Sequence, residues 1–451
     1  MIQKNQEYDV TIVDLTYEGM GVAKIDHYPL FIENTLPGEE VRIKVLKVGK
    51  KFGFAKVVDF YKTSPDRIPS EEKKWTQTGI APLQHMRYDA QLAFKKRQVE
   101  ECLHKMHCDE VQVHDTTPSP QQMHYRNKAQ VPVRVVDGKM EVGFYRKNSH
   151  QFIAIQNFGI QQEDIDDALQ VIARILTEFG VSAYNEERHE GVLRHIIVRQ
   201  GYYSKEMMVT LVTRKKKLFQ GQQIAQRIIE EIPTVVSVMQ NINDQKTNVI
   251  MGEKTICLAG KERIEDEMLG HTFQISAPSF YQVNTPQAEA MYQKAIDLAH
   301  LSKDMTAIDA YCGIGTITLS VAPHVKEIYG VEVVASAIDN AKENAKENEM
   351  TNVHFTVGKA EEVLPKWQEE GIQPDVVFVD PPRKGLARSF VETTIELAPE
   401  KIAYISCNPA TFARDVALFK EAGYRLDEIY PYDMFPQTTH VECVGVLYKQ
   451  N

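Results

Sequence analysis

Three short polar segments in the last quarter of the chain combine residue types that can do chemistry together. They are Asp380-Pro381-Pro382-Arg383, Ser406-Cys407-Asn408-Pro409 and His440-Val441-Glu442. They offer one thiol and two carboxylates, and prolines stiffen the first two loops. A positioned thiol with a carboxylate base nearby is suited to nucleophilic catalysis coupled to proton transfer.

Methylation of a pyrimidine ring at C5 needs such a pair. C5 of uracil is a poor nucleophile, but a thiolate that adds to C6 converts the ring into an enolate able to attack a methyl sulfonium. A base must then remove the C5 proton so that the thiol can leave. Cys407 is the best nucleophile candidate among the six cysteines, and Glu442 can supply the base. Cys443 is the rival, although it enters an apolar strand where packing is expected, and an inert buried thiol is the alternative for Cys407 too.

A glycine turn upstream indicates a nucleotide-like cofactor. Residues 309–316 form a strand, a G-x-G turn at Gly313 and Gly315, and the start of a helix, but residue 318 is Thr, so the full dinucleotide fingerprint is absent. Glu332 ends the next strand, where an acid can accept hydrogen bonds from both ribose hydroxyls. These features suit an adenosyl cofactor or NAD, with a purely structural turn as the alternative. Asp380 favours S-adenosylmethionine, since its loop resembles the D/N-P-P loops of methyltransferases.

The elements that position these residues divide the chain into three parts. Residues 1–61 read as short strands, which indicates a small β-barrel, and residues 62–284 mix strands with amphipathic helices. From 285 to 451 strands alternate with helices, with strands predicted at 307–310, 328–333, 353–357, 376–379 and 402–405. Such alternation predicts a doubly wound parallel sheet, whose ligands bind beyond the carboxyl ends of the strands. We therefore predict a multidomain protein with domains 1–61, 62–284 and 285–451.

Composition is that of a soluble globular protein, with 43% hydrophobic and 25% charged residues among 451. Without a membrane-spanning run or a signal-peptide pattern, a cytoplasmic location and no membrane partner are expected. The scattered cysteines, with no C-x-x-C pair, predict neither disulfides nor a metal site. The net charge of −10 argues weakly against a nucleic-acid partner, yet residues 42–62 hold seven Lys or Arg against one acid. A solvated surface is an equal alternative for that cluster.

Taken in order, these motifs resemble those of the RNA uracil-5-methyltransferases, in particular the 23S ribosomal RNA members. Phe280-Tyr281-Gln282-Val283-Asn284 resembles the family's F-x-Q-V-N motif, and residues 1–61 resemble a TRAM domain, an oligonucleotide-binding-like barrel that holds RNA. The resemblance implies that Cys407 is the nucleophile and Glu442 the base. Together with the glycine turn it implies a site for S-adenosylmethionine at Gln282, Tyr311, Gly313, Glu332 and Asp380.

One departure from the family concerns a metal cluster. Many relatives bind an iron–sulfur cluster through four cysteines, and the corresponding positions here are Lys73, Gly79, Pro82 and Phe158. None of these residues can ligate iron, so we expect no cluster.

RNA contacts are expected where aromatic and cationic residues alternate. Tyr125-Arg126-Asn127-Lys128 and Phe144-Tyr145-Arg146-Lys147 suit base stacking and phosphate contact, with exposed strand edges as the alternative. Arg126, Lys128 and Arg146 are the candidates. The expected partner is 23S rRNA with a single-stranded or flipped-out uridine, and no obligatory protein partner is indicated.

Several alternatives stay open at the level of sequence. The nearest is a tRNA uracil-5-methyltransferase, although tRNA members commonly lack the N-terminal barrel. Methylation of cytosine C5 or of an amino group fits the S-C-N-P and D-P-P-R motifs less well. A non-enzymatic RNA assembly factor with a vestigial transferase domain is a further alternative, against which the intact motifs argue. The target uridine and the oligomeric state are not determined by the sequence.

Overall fold

A computed structural model describes residues 2–450. The first sixty residues form a six-stranded sheet in the order β1-β5-β6-β4-β3-β2 that curls around its own core. Its strands are β1 (Glu7–Thr11), β2 (Asp14–Leu15), β3 (Gly21–Ile25), β4 (Tyr28–Ile32), β5 (Glu40–Val48) and β6 (Gly53–Lys62). In β5, Val41, Ile43 and Val45 alternate with exposed or half-buried residues, so one face of the strand lines the barrel core. The predicted small barrel is confirmed, with its last strand ending at Lys62.

The middle of the chain contains a seven-stranded sheet in the order β10-β9-β8-β11-β12-β13-β14. Its elements are β8 (Lys128–Val136), β9 (Lys139–Tyr145), β10 (Phe152–Ala154), α3 (Glu163–Glu178), β11 (Leu193–Gln200), β12 (Met207–Thr213), α4 (Gly221–Glu231), β13 (Val235–Ile242) and β14 (Lys254–Gly260). The apolar faces of α3 and α4 pack on this sheet and share one core with it. The mixed α/β organisation expected for this part is therefore present.

The C-terminal part is a sheet flanked by helices on both faces. Its elements are α5 (Thr285–Ala299), β17 (Thr306–Asp309), α6 (Thr316–Val321), a 3₁₀ turn (Ala322–His324), β18 (Glu327–Glu332), α7 (Ala335–Glu347), β19 (Val353–Val357), α8 (Ala360–Glu369), β20 (Val376–Val379), α9 (Arg388–Leu397), β21 (Lys401–Ser406), α10 (Pro409–Glu421), β22 (Tyr424–Leu426), β23 (Glu428–Tyr432) and β24 (Glu442–Lys449). Strands β17 to β21 run parallel in the order β19-β18-β17-β20-β21. The predicted doubly wound sheet is confirmed for these five strands.

The strands that complete this sheet run the other way. Strand β24 pairs antiparallel with β21, and Ser406 lies opposite Cys443. Because β24 begins where β21 ends, its first residue, Glu442, starts at the same sheet edge at which Cys407 follows β21. An antiparallel final strand is a departure from the purely parallel sheet that the alternation predicted.

Parts of the span 62–284 pack against the C-terminal sheet instead of the middle one. They are α2 (Tyr88–Lys105), β7 (Gln112–Val113), β15 (Arg263–Met268) and β16 (His271–Ser276), whereas α1 (Lys73–Thr78) buries Trp75 in the middle core. Helix α2 inserts Val99 and Leu103 into the C-terminal core, β7 extends the C-terminal sheet beside β23, and the β15–β16 hairpin shares a core with α5 and β17. Residues on both sides of position 284 therefore build the C-terminal sheet and its core. A domain boundary at that position stays a prediction.

Candidate active site

The thiol and the two carboxylates of the sequence motifs meet at the carboxyl edge of the C-terminal sheet. Asn408 fixes the thiol loop: its Oδ1 accepts a hydrogen bond from Ala410 N (3.1 Å), which caps α10, and its Nδ2 donates to the Arg383 carbonyl (3.0 Å). The Asp380 loop and the Cys407 loop are thus joined directly. Glu442 is buried at the start of β24, and Cys407 is half-buried.

Burial, assisted by neighbouring carboxylates, favours the protonated forms of Glu442 and Cys407 at this edge. Burial raises the pKa of Glu442 to about 8, with a further rise from Asp380 and an opposing effect of Arg383. Burial also raises the pKa of the Cys407 thiol to about 12, and the Glu442 and Asp380 carboxylates add to the rise. Thiol and base therefore lie close enough to influence each other's ionisation. A pKa near 8 suits a general base working close to neutral pH.

Glu442 follows a loop, Asp433–His440, that joins β23 to β24 and is named the base loop here. The fully buried Lys95 on α2 forms an ion pair with the fully buried Asp433, and Lys95 Nζ also donates to the Phe435 carbonyl (3.1 Å). Gln91, one turn earlier on α2, donates from Nε2 to Gln437 Oε1 (3.0 Å) and accepts from Gln437 N (3.1 Å). Two buried residues of α2 therefore bind the base loop, Lys95 at its start and Gln91 near its end.

Other parts of the chain bind the same loop. Four of its backbone carbonyls accept further hydrogen bonds: Asn284 Nδ2 to Met434 O (3.0 Å), Tyr125 Oη to Pro436 O (3.1 Å), Leu83 N to Gln437 O (3.0 Å) and Gln98 Nε2 to Thr439 O (3.2 Å). The donors lie between α1 and α2, on α2, just before β8 and at the end of the F-x-Q-V-N motif. Sequence reasoning assigned none of these contacts, because no local pattern marks a carbonyl that accepts a bond from a distant residue.

Cys312 and Cys443, the other cysteines near this edge, are buried in the core. Burial raises the pKa of both thiols well above the ordinary value. The expectation that Cys443 serves packing agrees with its position inside β24.

The glycine turn after β17 leaves room for a ligand. Gly313 has φ +54° and a Cβ there would meet no atom within 4 Å, whereas a Cβ on Gly315 (φ +91°) would lie 2.9 Å from Leu319 Cδ1. Gly313 therefore faces open space, and Gly315 is required by backbone conformation and packing. Glu332 lies at the end of β18, half-buried, where Oε1 accepts from Val334 N (3.0 Å). The half-buried Tyr311 follows β17 and stacks obliquely on Phe390 (centroids 5.6 Å).

A buried tyrosine that sequence reasoning missed connects two of the predicted cofactor residues. Tyr292 on α5 accepts a hydrogen bond from Gln282 Nε2 (3.1 Å), and its hydroxyl lies close enough to Asp380 to affect the pKa of that carboxyl. Burial raises the pKa of Asp380 to about 7, nearby Asp309 raises it further, and the Tyr292 hydroxyl opposes the rise. Tyr292 lies on an apolar helix face, so the sequence carried no signal for its role.

A second carboxylate beside Asp380 has free acceptor capacity. Asp309 Oδ2 accepts from Thr318 Oγ1 (2.6 Å), while Oδ1 is buried without a partner among the described residues. Burial raises the pKa of Asp309 to about 6. Carboxylates at Asp309, Glu332 and Asp380, all at the carboxyl ends of strands of one sheet, suit a ligand that carries a positive charge and hydrogen-bond donors, and S-adenosylmethionine, a sulfonium cation with an amino group and ribose hydroxyls, has both.

The predicted RNA-binding residues do not form one cluster. The half-buried Arg126 lies over the ring of Phe435 in the base loop, 5.7 Å from its centroid, and beside the catalytic edge. Lys128 is opposite Arg199 in the β8–β11 pair, and burial, together with Arg199 and Arg126, lowers its pKa to about 7. The exposed Arg146 lies at the far end of β9. Their role in RNA binding stays a prediction.

The positions at which the family resemblance places cluster cysteines hold residues without a metal-binding side chain. Lys73 starts α1, Gly79 ends it with φ +81°, and Phe158 is fully buried. Trp75 lies in the same core as Phe158 and donates from Nε1 to the Asn157 carbonyl (2.8 Å). Within residues 2–450 no group of three or more His, Cys, Asp or Glu side chains is arranged to hold a metal ion. In the same part of the chain, no helix has the length and apolar character needed to cross a membrane.

Comparison with known proteins places this geometry in a family. Residues 87–451 match the model of the tRNA (Uracil-5-)-methyltransferases, and residues 3–58 match that of the TRAM domain. An RNA methyltransferase of Enterococcus faecalis is 52% identical over 449 residues, covering 99% of this chain and 98% of its own. One from Lactiplantibacillus plantarum is 51% identical, covering 100% and 98%. The crystal structure of Pyrococcus abyssi tRNA (uracil-54, C5)-methyltransferase with S-adenosyl-L-homocysteine has a TM-score of 0.79 at 28% identity, covering 97% of this chain and 99% of that one.

The chain belongs to the uracil-5-methyltransferase family of RNA-modifying enzymes. Its N-terminal barrel is a TRAM domain, and its cofactor is S-adenosylmethionine. The expectations for fold class, family and cofactor are confirmed at this level.

Replacing Tyr292 with Phe should shift the pH dependence of cofactor binding. The nearby Tyr292 hydroxyl lowers the pKa of Asp380, so its removal raises that pKa above about 7. More of the carboxyl is then neutral at pH 7, and its attraction to a sulfonium weakens. Titration calorimetry between pH 6 and 9 should show weaker S-adenosylmethionine binding near neutral pH, recovering at higher pH. Tyr281→Phe is the matched control, because that buried hydroxyl donates to the Glu267 carbonyl instead. Identical pH profiles for Tyr292→Phe and wild type would contradict the assignment.

Proposed function

We propose that this protein transfers a methyl group from S-adenosylmethionine to C5 of uridine in 23S rRNA, through a covalent adduct between Cys407 and C6 of the base. The observation that carries the proposal is the meeting of Cys407, Glu442 and Asp380 at one sheet edge, where the Gly313 turn and Glu332 also lie. A site with both a thiol and a base matches the two needs of C5 methylation.

In the proposed mechanism the Cys407 thiol loses its proton to solvent and the resulting thiolate adds to C6, while the electron pair of the C5–C6 double bond moves into the ring as an enolate. The bound cofactor would supply the methyl group to C5, and its sulfur would keep the electron pair of the broken S–CH3 bond. Glu442 then removes the C5 proton, the double bond re-forms and the Sγ–C6 bond breaks. Arg383 lies close enough to stabilise the anionic forms of Cys407 and Glu442, since its charge lowers the pKa of both.

The choice of 23S rRNA rests on the family resemblance of the motifs and on the TRAM domain. A tRNA substrate is the second candidate, and a specific observation supports it. The Pyrococcus abyssi enzyme, whose printed name describes a tRNA uracil-54 methyltransferase, aligns with 97% of this chain. The few residues of this chain that lie outside the alignment are fewer than the barrel contains, so the aligned part includes barrel residues. The presence of a barrel alone therefore does not separate rRNA enzymes from tRNA enzymes.

Substitution of the two catalytic residues should separate addition from elimination. Cys407→Ala should abolish methyl transfer, since no adduct forms. Glu442→Gln should accumulate a covalent protein–RNA complex, because the C5 proton stays on the base. Denaturing gels with radiolabelled RNA measure the adduct, and methyl incorporation measures turnover. Cys443→Ala is the matched control, because that thiol is buried in the core. Full activity in Cys407→Ala would overturn the mechanism.

Deletion of the gene should remove 5-methyluridine from 23S rRNA and leave it in tRNA. Mass-spectrometric mapping of both RNA classes, with and without the gene, measures this directly. Complementation with the wild-type gene should restore the signal, and complementation with Cys407→Ala should not. Loss of 5-methyluridine from tRNA alone would replace the rRNA assignment with the tRNA one.

A further inference from the structure

The outer face of the barrel carries three phenylalanines that pack on one another. The ring centroids of Phe31, Phe52 and Phe54 lie 5.3, 5.9 and 5.7 Å apart. Phe31 and Phe54 are register partners across β4 and β6, and Phe52 is 43% exposed. The barrel core is built from other residues, Ile12 and Val41 among them. These three side chains, named the phenylalanine patch, therefore present aromatic surface to solvent.

Lysines surround the phenylalanine patch. Lys47 is the register partner of Phe54, Lys44 pairs with Lys56 across β5 and β6, and Lys50 and Lys51 directly precede Phe52. The ion pairs of the barrel among residues 2–450 involve Arg42, Lys62 and Arg67, together with Glu33 and Asp14 as partners of Lys147 and Arg97. The five lysines near the patch have no carboxylate partner there. This basic surface stands out on a chain whose net charge is −10.

Exposed aromatic rings among unpaired lysines fit a polyanion whose flat groups can stack. A protein partner with an apolar surface would not need five cations, and a duplex hides its base faces. We propose that the phenylalanine patch binds an unpaired stretch of the RNA substrate, with bases stacked on Phe31, Phe52 and Phe54 and phosphates near the lysines. The inference rests on the proposed function for the identity of the RNA and deepens it by naming a second binding subsite.

The barrel that carries the phenylalanine patch is in direct contact with the base loop. A Cβ on Gly19 of the barrel would lie 3.0 Å from Thr439 of the base loop and 2.9 Å from Leu83. Asp14 of β2 pairs with Arg97 of α2 (3.3 Å). The barrel therefore packs against two of the elements that surround Glu442.

Binding of a fluorescein-labelled twelve-nucleotide oligouridylate tests the phenylalanine patch. Phe52→Ala combined with Phe54→Ala should weaken affinity about tenfold or more at every salt concentration, with an unchanged salt slope, because stacking releases no counterions. Lys47→Gln should instead reduce the slope of log K against log salt by about 0.7. Val58→Ala is the control, since it removes an exposed apolar side chain from the same strand.

Unchanged affinity in the double phenylalanine variant would overturn the proposal. An equal loss of affinity for a twelve-base-pair RNA duplex would also overturn it, since stacking requires unpaired bases. The assay needs no methyl transfer, so its outcome is separate from the proposed function. A wild-type protein that binds through the patch yet forms no 5-methyluridine would contradict the proposed function alone.

An independent observation concerns Lys95 and the base loop. Lys95 and Asp433 are both fully buried, and burial lowers the pKa of Lys95 while the Asp433 carboxylate opposes that effect. A buried ion pair contributes little net stability compared with apolar residues of similar volume. The ion pair instead fixes the position of Asp433, the first residue of the base loop, and this loop leads to Glu442. We infer that Lys95 is a positioning residue for the base.

The consequence is specific to one step. Addition forms the Sγ–C6 bond without Glu442, whereas elimination passes the C5 proton to Glu442, re-forms the C5–C6 double bond and breaks the Sγ–C6 bond. A loosened base loop should therefore slow elimination more than addition. If Lys95 had a purely structural role, its loss would lower the rates of addition and elimination equally and would reduce the amount of folded protein.

Lys95→Met should lower turnover about tenfold or more and raise the fraction of protein trapped as the covalent RNA adduct. Lys96→Met is the matched control: it is adjacent on α2, and its partner Asp115 is exposed. If Lys95→Met fails to fold, Gln91→Leu provides the same test, since Gln91 holds the other half of the loop. Wild-type turnover, or lower turnover without added adduct in the folded variant, would overturn the inference. It rests on the proposed mechanism, whose own failure would show as absence of any adduct in Glu442→Gln.

Discussion

The direction of one strand decides where the chemistry takes place. Strand β24 is antiparallel to β21, so Glu442 at its start lies at the edge where Cys407 follows the end of β21. A sixth parallel strand in this position would have put its first residue at the opposite edge of the sheet, a full strand length away. The base and the thiol can therefore share one site only because the chain reverses through β23 and the base loop.

That reversal needs support, and the rest of the molecule supplies it. The base loop accepts hydrogen bonds from the segment between α1 and α2, from α2, from the segment before β8 and from the F-x-Q-V-N motif. The barrel reaches the same loop through the turn at Gly19. The TRAM barrel and the loop that precedes Glu442 are thus in contact. Burial of Glu442 has a second effect: removal from water raises the pKa of its carboxyl to about 8.

Sequence reasoning predicted the local elements of the C-terminal sheet closely. Strands expected at 353–357 and 376–379 have those bounds in the structure, and the others differ by one residue at either end. Such strands are buried apolar runs between turn residues, a signal that lies within a few positions of the chain. The antiparallel direction of β24 was missed, because an apolar run does not show the direction in which it pairs. The division of residues 62–284 between two cores was missed for a related reason, since apolar periodicity does not name the partner surface.

The sequence by itself determined the residue types that can react, the glycine turn that leaves room for a cofactor, and the order of strands and helices that places them at strand ends. It did so because these features depend on neighbours along the chain. Only the tertiary structure decided which groups support them. Lys95 and Asp433 are 338 residues apart, Tyr292 joins Gln282 to Asp380 across two elements, and the phenylalanine patch combines two strands with a turn. Their roles arise from burial and proximity, and those quantities exist only once the chain has folded.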